Sequence, residues 1–453
     1  MTTAQPCVGA LFNFDWDAQG FSLAAAAGGI RLATAGFDLF SFPSNLRLPG
    51  FTLERFVAGL LPRARQERWA GVVSHHEQFG ALAAALLAER LGLPGSRPEA
   101  VLACQHKLHA RRVLQQVCPQ ANVACAELPV RYGDPIPEGL SYPAFVKPVK
   151  AAFSVLAREV ANHEELTRHT RFGPWELWVI RHLVEPFDRV ARVRLPEAGS
   201  AHRLMLESPV QAAQFNLDGW VQAGQARLLG VVDAVMYPGT QAFMRFEFPS
   251  RLPQAVQARA LAVAQSFLQA VGFEHGFFNM EFFFDAATDR LTVIEFNPRL
   301  ASQLADLYRR VLGLDAHAMS LALARGEDAL SAPRVAATAG AAASFVYRAF
   351  TPEQVPPQPA AAQVARLRAA HPGSLLLPMP KRGGSLARDF KWLGSHRYGV
   401  LHLGARDAVE LHRCAEQASR LLGWPAPVES AWRRPASPRP ALEPLPRLEG
   451  DLG

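Results

Sequence analysis

The sequence predicts an α/β protein with more than one domain. Its 453 residues are 49% hydrophobic and 19% charged, which supplies enough apolar side chains for several buried cores and differs from the composition of disordered chains. Through residues 1–97, short apolar runs alternate with stretches of helical apolar spacing. That alternation is typical of a parallel sheet covered by helices. It returns in residues 340–424.

Local patterns justify the elements in order. Short apolar or alternating runs predict strands at residues 8–14, 70–74, 142–147, 155–160, 203–208, 214–222, 226–236, 277–285, 291–299 and 398–403. Apolar spacing of three and four predicts helices at residues 52–66, 77–91, 163–171, 253–271, 302–311, 315–325 and 406–422, with two short helices within 98–118. Residues 175–200 fit neither pattern, and we interpret them as an inserted helix and loop.

Composition disfavours several classes of protein. No apolar run approaches the roughly 18–20 residues of a membrane span, and Asp15 and Asp17 interrupt the early apolar stretch, so neither a membrane partner nor a secretory signal is expected. The five cysteines are scattered without a Cys-x-x-Cys pair, which disfavours zinc and disulfides and predicts a cytoplasmic protein. The net charge of +7 is spread along the chain, which favours surface composition over nucleic-acid binding. A basic cleft for an anionic small molecule is the alternative.

Lysine is scarce, and its distribution is uneven. Only five lysines accompany 42 arginines, and Lys107, Lys147 and Lys150 fall within 44 residues. A lysine ammonium is a compact point charge that suits phosphate, whereas arginine is a planar fork. The cluster therefore indicates a site that needs ammonium groups, with chance clustering as the alternative. Lys150 itself is interpreted as a solvated loop lysine.

The predicted hairpin at residues 277–299 brings two carboxylates together. If Asp285 faces Leu291 across a five-residue loop, Glu281 lies directly opposite Glu295. Opposed carboxylates repel each other unless a cation compensates them. One of the two is therefore expected to titrate at high pH until a metal ion binds.

Alternation along the strand places further polar residues beside that pair. Glu295, Asn297 and Arg299 share one face, and Glu281 lies on the matching face of the neighbouring strand. Two carboxylates and an amide oxygen suit Mg²⁺, with Mn²⁺ as a second candidate. An exposed hairpin face with scattered polar residues is the alternative.

These residues carry a resemblance to a known family. The run from Glu281 to Glu295-Phe-Asn297-Pro-Arg299 resembles the metal-binding end of the ATP-grasp superfamily. Three further matches precede it in the family's order. They are Lys107 as a first lysine, Lys147 to Ser154 as a second lysine with its phosphate loop, and Met205-Leu206-Glu207 with Gln214 as a hinge strand. The matches span residues 98–325, and the run after Arg299 differs from the family's common glycine pair.

The resemblance implies a domain plan. An N-terminal parallel α/β domain would precede a two-lobed ATP-grasp core and a C-terminal α/β subdomain. The implied boundaries are 1–97 for the N-terminal domain, 98–330 for the core, 331–424 for the subdomain and 425–453 for a proline-rich tail. Within the core, the small lobe would occupy about 135–202, the hinge about 203–210 and the metal-bearing lobe about 211–330.

The resemblance also implies roles for single residues. Lys107, Lys147 and Ser154 would hold phosphates. Met205 and Leu206 would lie against adenine, with Glu207 on the ribose and Gln214 close by. Glu281, Glu295 and Asn297 would hold Mg²⁺, and Arg299 would stabilise the transferring phosphoryl group. Arg245, between the hinge and the hairpin, is a candidate for orienting a substrate carboxylate, with a surface ion pair to Glu247 as the alternative.

The expected function is therefore that of an ATP-dependent ligase of the L-amino-acid ligase-like branch. Such an enzyme activates a carboxylate as an acyl phosphate and couples it to an amine, with small molecules as substrates. A homodimer is a candidate assembly. A phosphotransferase or carboxylase on the same fold is the first alternative, and a nucleotide-binding regulatory module without turnover is the second.

Overall fold

The computed structural model describes residues 5–39, 47–151 and 156–432. Their strands are β1 (Cys7–Leu11), β2 (Arg31–Ala35), β3 (Trp69–Val73), β4 (Cys125–Leu128), β5 (Ala144–Pro148), β6 (Arg158–Val160), β7 (Leu204–Glu207), β8 (Ala213–Gln222), β9 (Gln225–Met236), β10 (Phe243–Phe248), β11 (Gly276–Asp285), β12 (Arg290–Asn297), β13 (Ala341–Ala349), β14 (Leu375–Pro378) and β15 (His396–Ala405). Their helices are α1 (Asp15–Ala27), α2 (Leu53–Gln66), α3 (Gly80–Leu91), α4 (Pro98–Gln105), α5 (Lys107–Val117), α6 (His163–Thr170), α7 (Pro174–Arg194), α8 (Gln254–Ala270), α9 (Ala305–Leu312), α10 (Ala316–Ala324), α11 (Ala361–Ala370), α12 (Gly383–Leu393) and α13 (Ala408–Leu422).

The N-terminal region is a small parallel α/β layer, as its alternating pattern predicts. Its three strands lie in the order β2-β1-β3, and β1 pairs in parallel with both neighbours. All five residues of β1 are buried, as expected of a central strand covered on both faces. Helix α2 begins where the Thr52 side chain accepts the Arg55 N–H, and α3 ends at Gly92 with a positive φ of 64°. The segments after β1 and β3 emerge at one edge of this sheet.

The small lobe is a four-stranded antiparallel sheet in the order β4-β7-β5-β6. It begins at Cys125 and ends at Glu207, and so extends beyond the predicted range of 135–202 at both ends. Strand β7 lies inside this sheet because it pairs with both β4 and β5. The connection between the lobes is therefore residues 208–212, and not the stretch from 203 that the sequence indicates.

The largest sheet has eight strands in the order β12-β11-β8-β9-β10-β13-β15-β14. Its last three strands come from the C-terminal region, and β13 pairs antiparallel with β10. The C-terminal region thus extends the sheet of the predicted metal-bearing lobe and does not form a separate layer. Helices α9 and α10 pack on one face of this sheet, where Tyr308, Leu307 and Met319 are buried.

The β11–β12 hairpin has the predicted glutamate pairing, but its loop length and its strand regularity differ from the prediction. Asp285 pairs with Arg290, so the loop is one residue shorter than predicted. Its tightness follows from the Asp285 carboxylate, which accepts from the Ala287 N–H and the Thr288 hydroxyl at 2.9 and 2.7 Å. A bulge on β12, at Ile294, then restores the register before the glutamates are reached.

The ambiguous stretch at 175–200 is mainly helix α7, which is 21 residues long. Several of its side chains, including Trp178, Arg181 and Val184, line the space between the lobes. Among the helices of the described residues, none combines the length and apolar composition that a membrane span requires.

Candidate functional site

One large cleft lies where the three sheets meet. Its volume is about 2640 Å³, well above the roughly 300–1,000 Å³ of a pocket for one small ligand. Its walls come from the N-terminal layer, the small lobe, α7, the eight-stranded sheet and α12. The cleft therefore has room for a nucleotide together with at least one other molecule.

Three polar side chains form a row across the floor of the cleft. Glu281 pairs with Glu295 on β12 and with Asn216 on β8, so the three lie side by side on neighbouring strands. Gln214 joins them by donating to Glu281 at 2.9 Å. The opposed glutamates are the feature that the hairpin register predicts.

The two glutamates have opposite pKa shifts. Burial and the charge of Glu295 raise the pKa of Glu281 to about 8. Burial also acts to raise the pKa of Glu295, but the Lys107 ammonium 2.9 Å away outweighs it and holds that pKa below its usual range. One carboxyl is therefore protonated near neutral pH and the other is ionised, as expected for two acids that share a site without a metal ion.

Asn297 lies one row further along the same face. It pairs with Asn279, and its amide lies within 3.2 Å of both carboxylate oxygens of Glu77, to which its nitrogen donates. Asn297 is buried, and it is Asn279 rather than Asn297 that reaches the cleft surface. The row is thus polar and close to the glutamates, but Asn297 already has protein partners.

Arg299 joins the acidic hairpin to the N-terminal layer. Its guanidinium donates to Glu77 at 2.7 Å, and Glu77 stands in the segment after β3. Burial acts to lower the pKa of Arg299, but the Glu77 carboxylate outweighs it and raises the pKa. No local pattern in the sequence connects Glu77 with Arg299, so this ion pair becomes visible only in the fold.

The clustered lysines lie beside the acidic row. Lys107 donates to the Ala151 carbonyl at 2.8 Å as well as contacting Glu295. Lys147 contacts Glu207 at 2.7 Å, and burial lowers its pKa to about 8. Lys150 is 1% exposed, lies 4.9 Å from the centre of the Phe187 ring, and has a pKa that burial lowers to about 7. It is therefore a buried cleft lysine and not a solvated loop lysine.

Arg111 connects this wall to the bulge in β12. It donates to Glu207 at 2.6 Å and to the carbonyls of Val293 and Ile294 at 2.6 and 2.9 Å. These hydrogen bonds satisfy two carbonyls at the bulge. Glu207 lies between Arg111 and Lys147, so in this structure it holds those two cations instead of standing free for a ribose.

Other predicted site residues lie elsewhere. Met205 and Leu206 are buried in the small-lobe sheet and do not line the cleft, because the strand that carries them is interior to that sheet. The cleft surface next to this strand is formed instead by residues 208–212 and by Ile294. Ser154 lies outside the described residues.

Arg245 is the clearest correction. A bulge between Phe243 and Arg245 turns Phe243 and Phe246 towards the cleft and leaves Arg245 on the other face. There it is buried and donates to Glu247 at 2.5 Å and to Glu429 at 2.9 and 3.0 Å. It is a structural ion-pair residue, close to the alternative that the sequence left open.

The donor set fits a hard divalent cation and a polyphosphate. Glu281 and Glu295 offer carboxylate oxygens at the cleft surface, and Lys107 forms an ion pair with Glu295. Asn216, beside them, has a buried Nδ2 without a hydrogen-bond partner among the described residues. Lys107, Lys147 and Lys150 lie at the same cleft and offer ammonium groups to phosphates.

Comparison with known proteins gives the same fold. No protein-family model and no curated protein sequence matches the chain. Among solved structures, an L-amino acid ligase from Bacillus licheniformis is similar at 16% identity and a TM-score of 0.68, over 92% of this chain and 98% of that one. An N5-carboxyaminoimidazole ribonucleotide synthetase from Thermus thermophilus is similar at 18% identity and a TM-score of 0.58, again over 92% and 98%. A biotin carboxylase from Campylobacter jejuni is similar at 14% identity and a TM-score of 0.56, over 92% and 91%. The chain therefore has the ATP-grasp fold that its ordered motifs predict.

Proposed function

We propose that this protein is an ATP- and Mg²⁺-dependent ligase that couples a carboxylate to an amine. The observation that carries the proposal is the Glu281–Glu295 pair, which lies with Lys107 and Lys147 at a cleft large enough for a nucleotide and a second substrate. The similarity to the L-amino acid ligase, which extends over nearly the whole of both chains, supports amino acids as the substrate class.

The proposed reaction has two steps. A carboxylate oxygen of the first substrate takes the γ-phosphoryl group of ATP, which gives an acyl phosphate and ADP. The amine nitrogen of the second substrate then attacks the acyl carbon, the C–O bond to phosphate breaks, and the nitrogen loses a proton. The products are an amide, ADP and phosphate.

The residues of the cleft have separate roles in this scheme. Lys107 and Lys147 bind phosphate oxygens, and Glu207 and Arg111 position Lys147. Glu281 and Glu295 would hold Mg²⁺, with Asn297 behind them. When bound, Mg²⁺ neutralises charge on the β- and γ-phosphates. Arg299, fixed by Glu77, faces the transferring group.

Exclusion of water is the second requirement, because an acyl phosphate hydrolyses readily. The N-terminal layer, α7 and α12 surround the cleft on the sides that the two lobes leave open. The described part of the molecule therefore has cover on several sides of the reacting groups.

The test is a screen for substrate-dependent ADP release. Purified protein with Mg²⁺-ATP is given pooled amino acids and small carboxylates with and without an amine, and ADP, phosphate and new amides are measured. We expect ADP and phosphate in equal amounts, formed only when both substrates are present. Glu295→Gln serves as the inactive variant and Arg406→Gln, at an exposed ion-pair residue outside the cleft, as the matched control.

The same screen separates the other candidate functions. A phosphorylated product without free phosphate would indicate a phosphotransferase, and a requirement for bicarbonate would indicate a carboxylase. Tight Mg²⁺-ATP binding with no ADP release from any pool would favour the nucleotide-binding module without turnover.

A further inference from the structure

A second pair of like charges lies in the cleft, far from the glutamates along the sheet. Arg348 on β13 and Arg397 on β15 are directly opposite partners in the antiparallel ladder. Both side chains are half-buried and both line the cleft. Directly opposed cations on one sheet face destabilise it unless an anion lies between them.

No acidic side chain among the described residues forms an ion pair with either arginine. Asp389 is the acid that raises the pKa values of both arginines by its charge. Its carboxylate, however, is bound by Lys381 at 2.9 Å and by His396 at 3.0 Å. Burial lowers the pKa of Arg348, and burial together with Arg348 lowers the pKa of Arg397 to about 10. Positive charge is therefore left uncompensated at this end of the cleft.

Neutral groups hold the two guanidiniums in place. Arg348 donates to the Phe243 carbonyl at 3.2 Å and to the Ser395 hydroxyl at 3.0 Å. Arg397 donates to Gln303 at 3.3 Å, and Gln303 in turn donates to Ser344 at 3.0 Å. These contacts use some of the ten N–H groups that two guanidiniums carry, so donors remain for a ligand.

We propose that Arg348 and Arg397 form an oxyanion subsite for a carboxylate or phosphate group carried by the amine substrate. The inference rests on the proposed ligase function. Strand β13 is four strands from β11 in the sheet, so a group bound by the arginines is not the carboxylate that receives the phosphoryl group. It is a distal anion that fixes the far end of the second substrate.

Forked guanidiniums suit this role better than ammonium groups. Each offers two parallel N–H donors that match the two oxygens of a carboxylate or phosphate. The chain thus places Lys107, Lys147 and Lys150 near the glutamates and an arginine pair at the other end of the cleft. Gln303, four residues after Arg299 in the chain, lies between the two ends.

The experiment compares acidic amines with matched neutral ones. ADP release is measured at saturating Mg²⁺-ATP and a fixed carboxylate, with 4-aminobutanoate against 4-aminobutanamide and glucosamine 6-phosphate against glucosamine. The first pair tests a carboxylate and the second a phosphate. We expect the wild-type protein to favour one acidic member by at least about 10-fold in kcat/KM, since a hydrogen bond to a charged group is worth about that much.

Three variants locate the preference. Arg348→Gln and Arg397→Gln each remove one guanidinium. Gln303→Glu introduces a carboxylate that forms an ion pair with Arg397 and competes with the substrate anion. Each should lower kcat/KM for the acidic amine by roughly 10- to 100-fold, mainly through KM, and leave the neutral amine unchanged. Arg406→Gln is the control for loss of an arginine, and ATP binding by calorimetry confirms that each variant is folded.

Equal use of acidic and neutral amines by the wild type, or equal loss for both in the variants, overturns the subsite. If no amine supports ADP release, the ligase proposal fails separately, and binding decides the subsite. 4-Aminobutanoate and glucosamine 6-phosphate are then titrated into the protein saturated with Mg²⁺-ATP. Binding that is lost in Arg397→Gln supports the subsite, and absence of binding to the wild type overturns it.

Discussion

Two directly opposed pairs of like charges on the eight-stranded sheet line the cleft in the described part of the chain, and the protein compensates them differently. Glu281 and Glu295 face each other on β11 and β12, and Lys107 compensates one of them within the protein. Arg348 and Arg397 face each other on β13 and β15, and no described acid pairs with them. Both arrangements cost stability, so their presence at the surface of one cleft indicates that counter-charges come from ligands.

The two pairs differ in how much counter-charge the protein itself supplies to each. The acidic pair has a proton on Glu281 and an ammonium beside Glu295, and so it approaches neutrality without a metal ion. The arginine pair has only neutral partners. Substitutions that remove one charge at a time should therefore have unlike consequences at the two ends of the cleft.

The largest effect is expected at Glu295. Glu295→Gln removes an ionised metal ligand, and turnover should fall by at least about 100-fold, because even loss of a group that only supports a ligand costs 10- to 100-fold. Its stability should also fall, since buried Lys107 loses its partner. The sequence alone suggests the reverse, that the change relieves repulsion and leaves stability intact or slightly higher.

Glu281→Gln is the matched comparison. Its carboxyl is already protonated near neutral pH, so we expect stability in urea to stay within about 0.5 kcal/mol of wild type, while Mg²⁺-dependent ADP release still collapses. A Glu295→Gln protein with near wild-type ADP production in limiting Mg²⁺ would contradict the metal assignment.

The next effect is on nucleotide affinity. Lys147→Met keeps the length of the side chain and removes its charge, and we expect ATP to bind roughly 10- to 100-fold more weakly by calorimetry. Lys147→Arg should recover part of the loss because it keeps the charge. Equal ATP affinity in wild type and Lys147→Met would show that Lys147 does not bind the nucleotide.

A smaller effect should follow from pH. Buried Lys147 and Lys150 have pKa values lowered to about 8 and about 7, so above those values each amine is neutral and no longer attracts phosphate. ATP affinity should then decline by about 10-fold between pH 7 and pH 9, and binding at pH 8 should take up protons. Calorimetry in buffers of different ionisation enthalpy measures that uptake, and release of protons on binding would contradict the assignment.

The smallest effect is expected from the arginine pair without substrate. Arg397→Gln removes repulsion with Arg348 and keeps a hydrogen-bonding group near Gln303. Apo stability should hold or rise by about 0.2–1 kcal/mol, as judged by urea unfolding beside Arg406→Gln. A loss of more than about 1 kcal/mol, the upper end of that range, would show that Arg397 has a structural role instead of waiting for an anion.

The sequence predicts correctly those features that depend on the residues of a single strand or helix. Periodicity predicts α2, α8, β8, β9 and β15 within a few residues, and the ordered motifs predict the fold. The predicted glutamate pairing is correct through two compensating errors, a loop one residue too long and a missing bulge. At the bulge, the carbonyls of Val293 and Ile294 accept from Arg111 on a distant helix, and no local pattern in β12 reveals that contact.

Bulges also explain what the sequence does not reveal. A one-residue irregularity inverts the faces of a strand. The prediction that Arg245 faces a substrate is wrong because it assumes a regular strand. Arg348 and Arg397 have no local signal at all, because their pairing depends on the register between strands separated by two helices and by β14. Such sites become visible only when the sheet is assembled.

The confinement of lysine has a consequence for covalent chemistry. All five lysines line the one cleft, whereas the outer surface takes its positive charge from arginine. An amine-selective acylating reagent reacts with neutral amines and leaves guanidiniums unchanged, so among the side chains of this protein it modifies only residues of the cleft. Lysine acetylation, whether by a reagent or an enzyme, would thus leave the exterior as it was and report directly on whether the cleft is occupied.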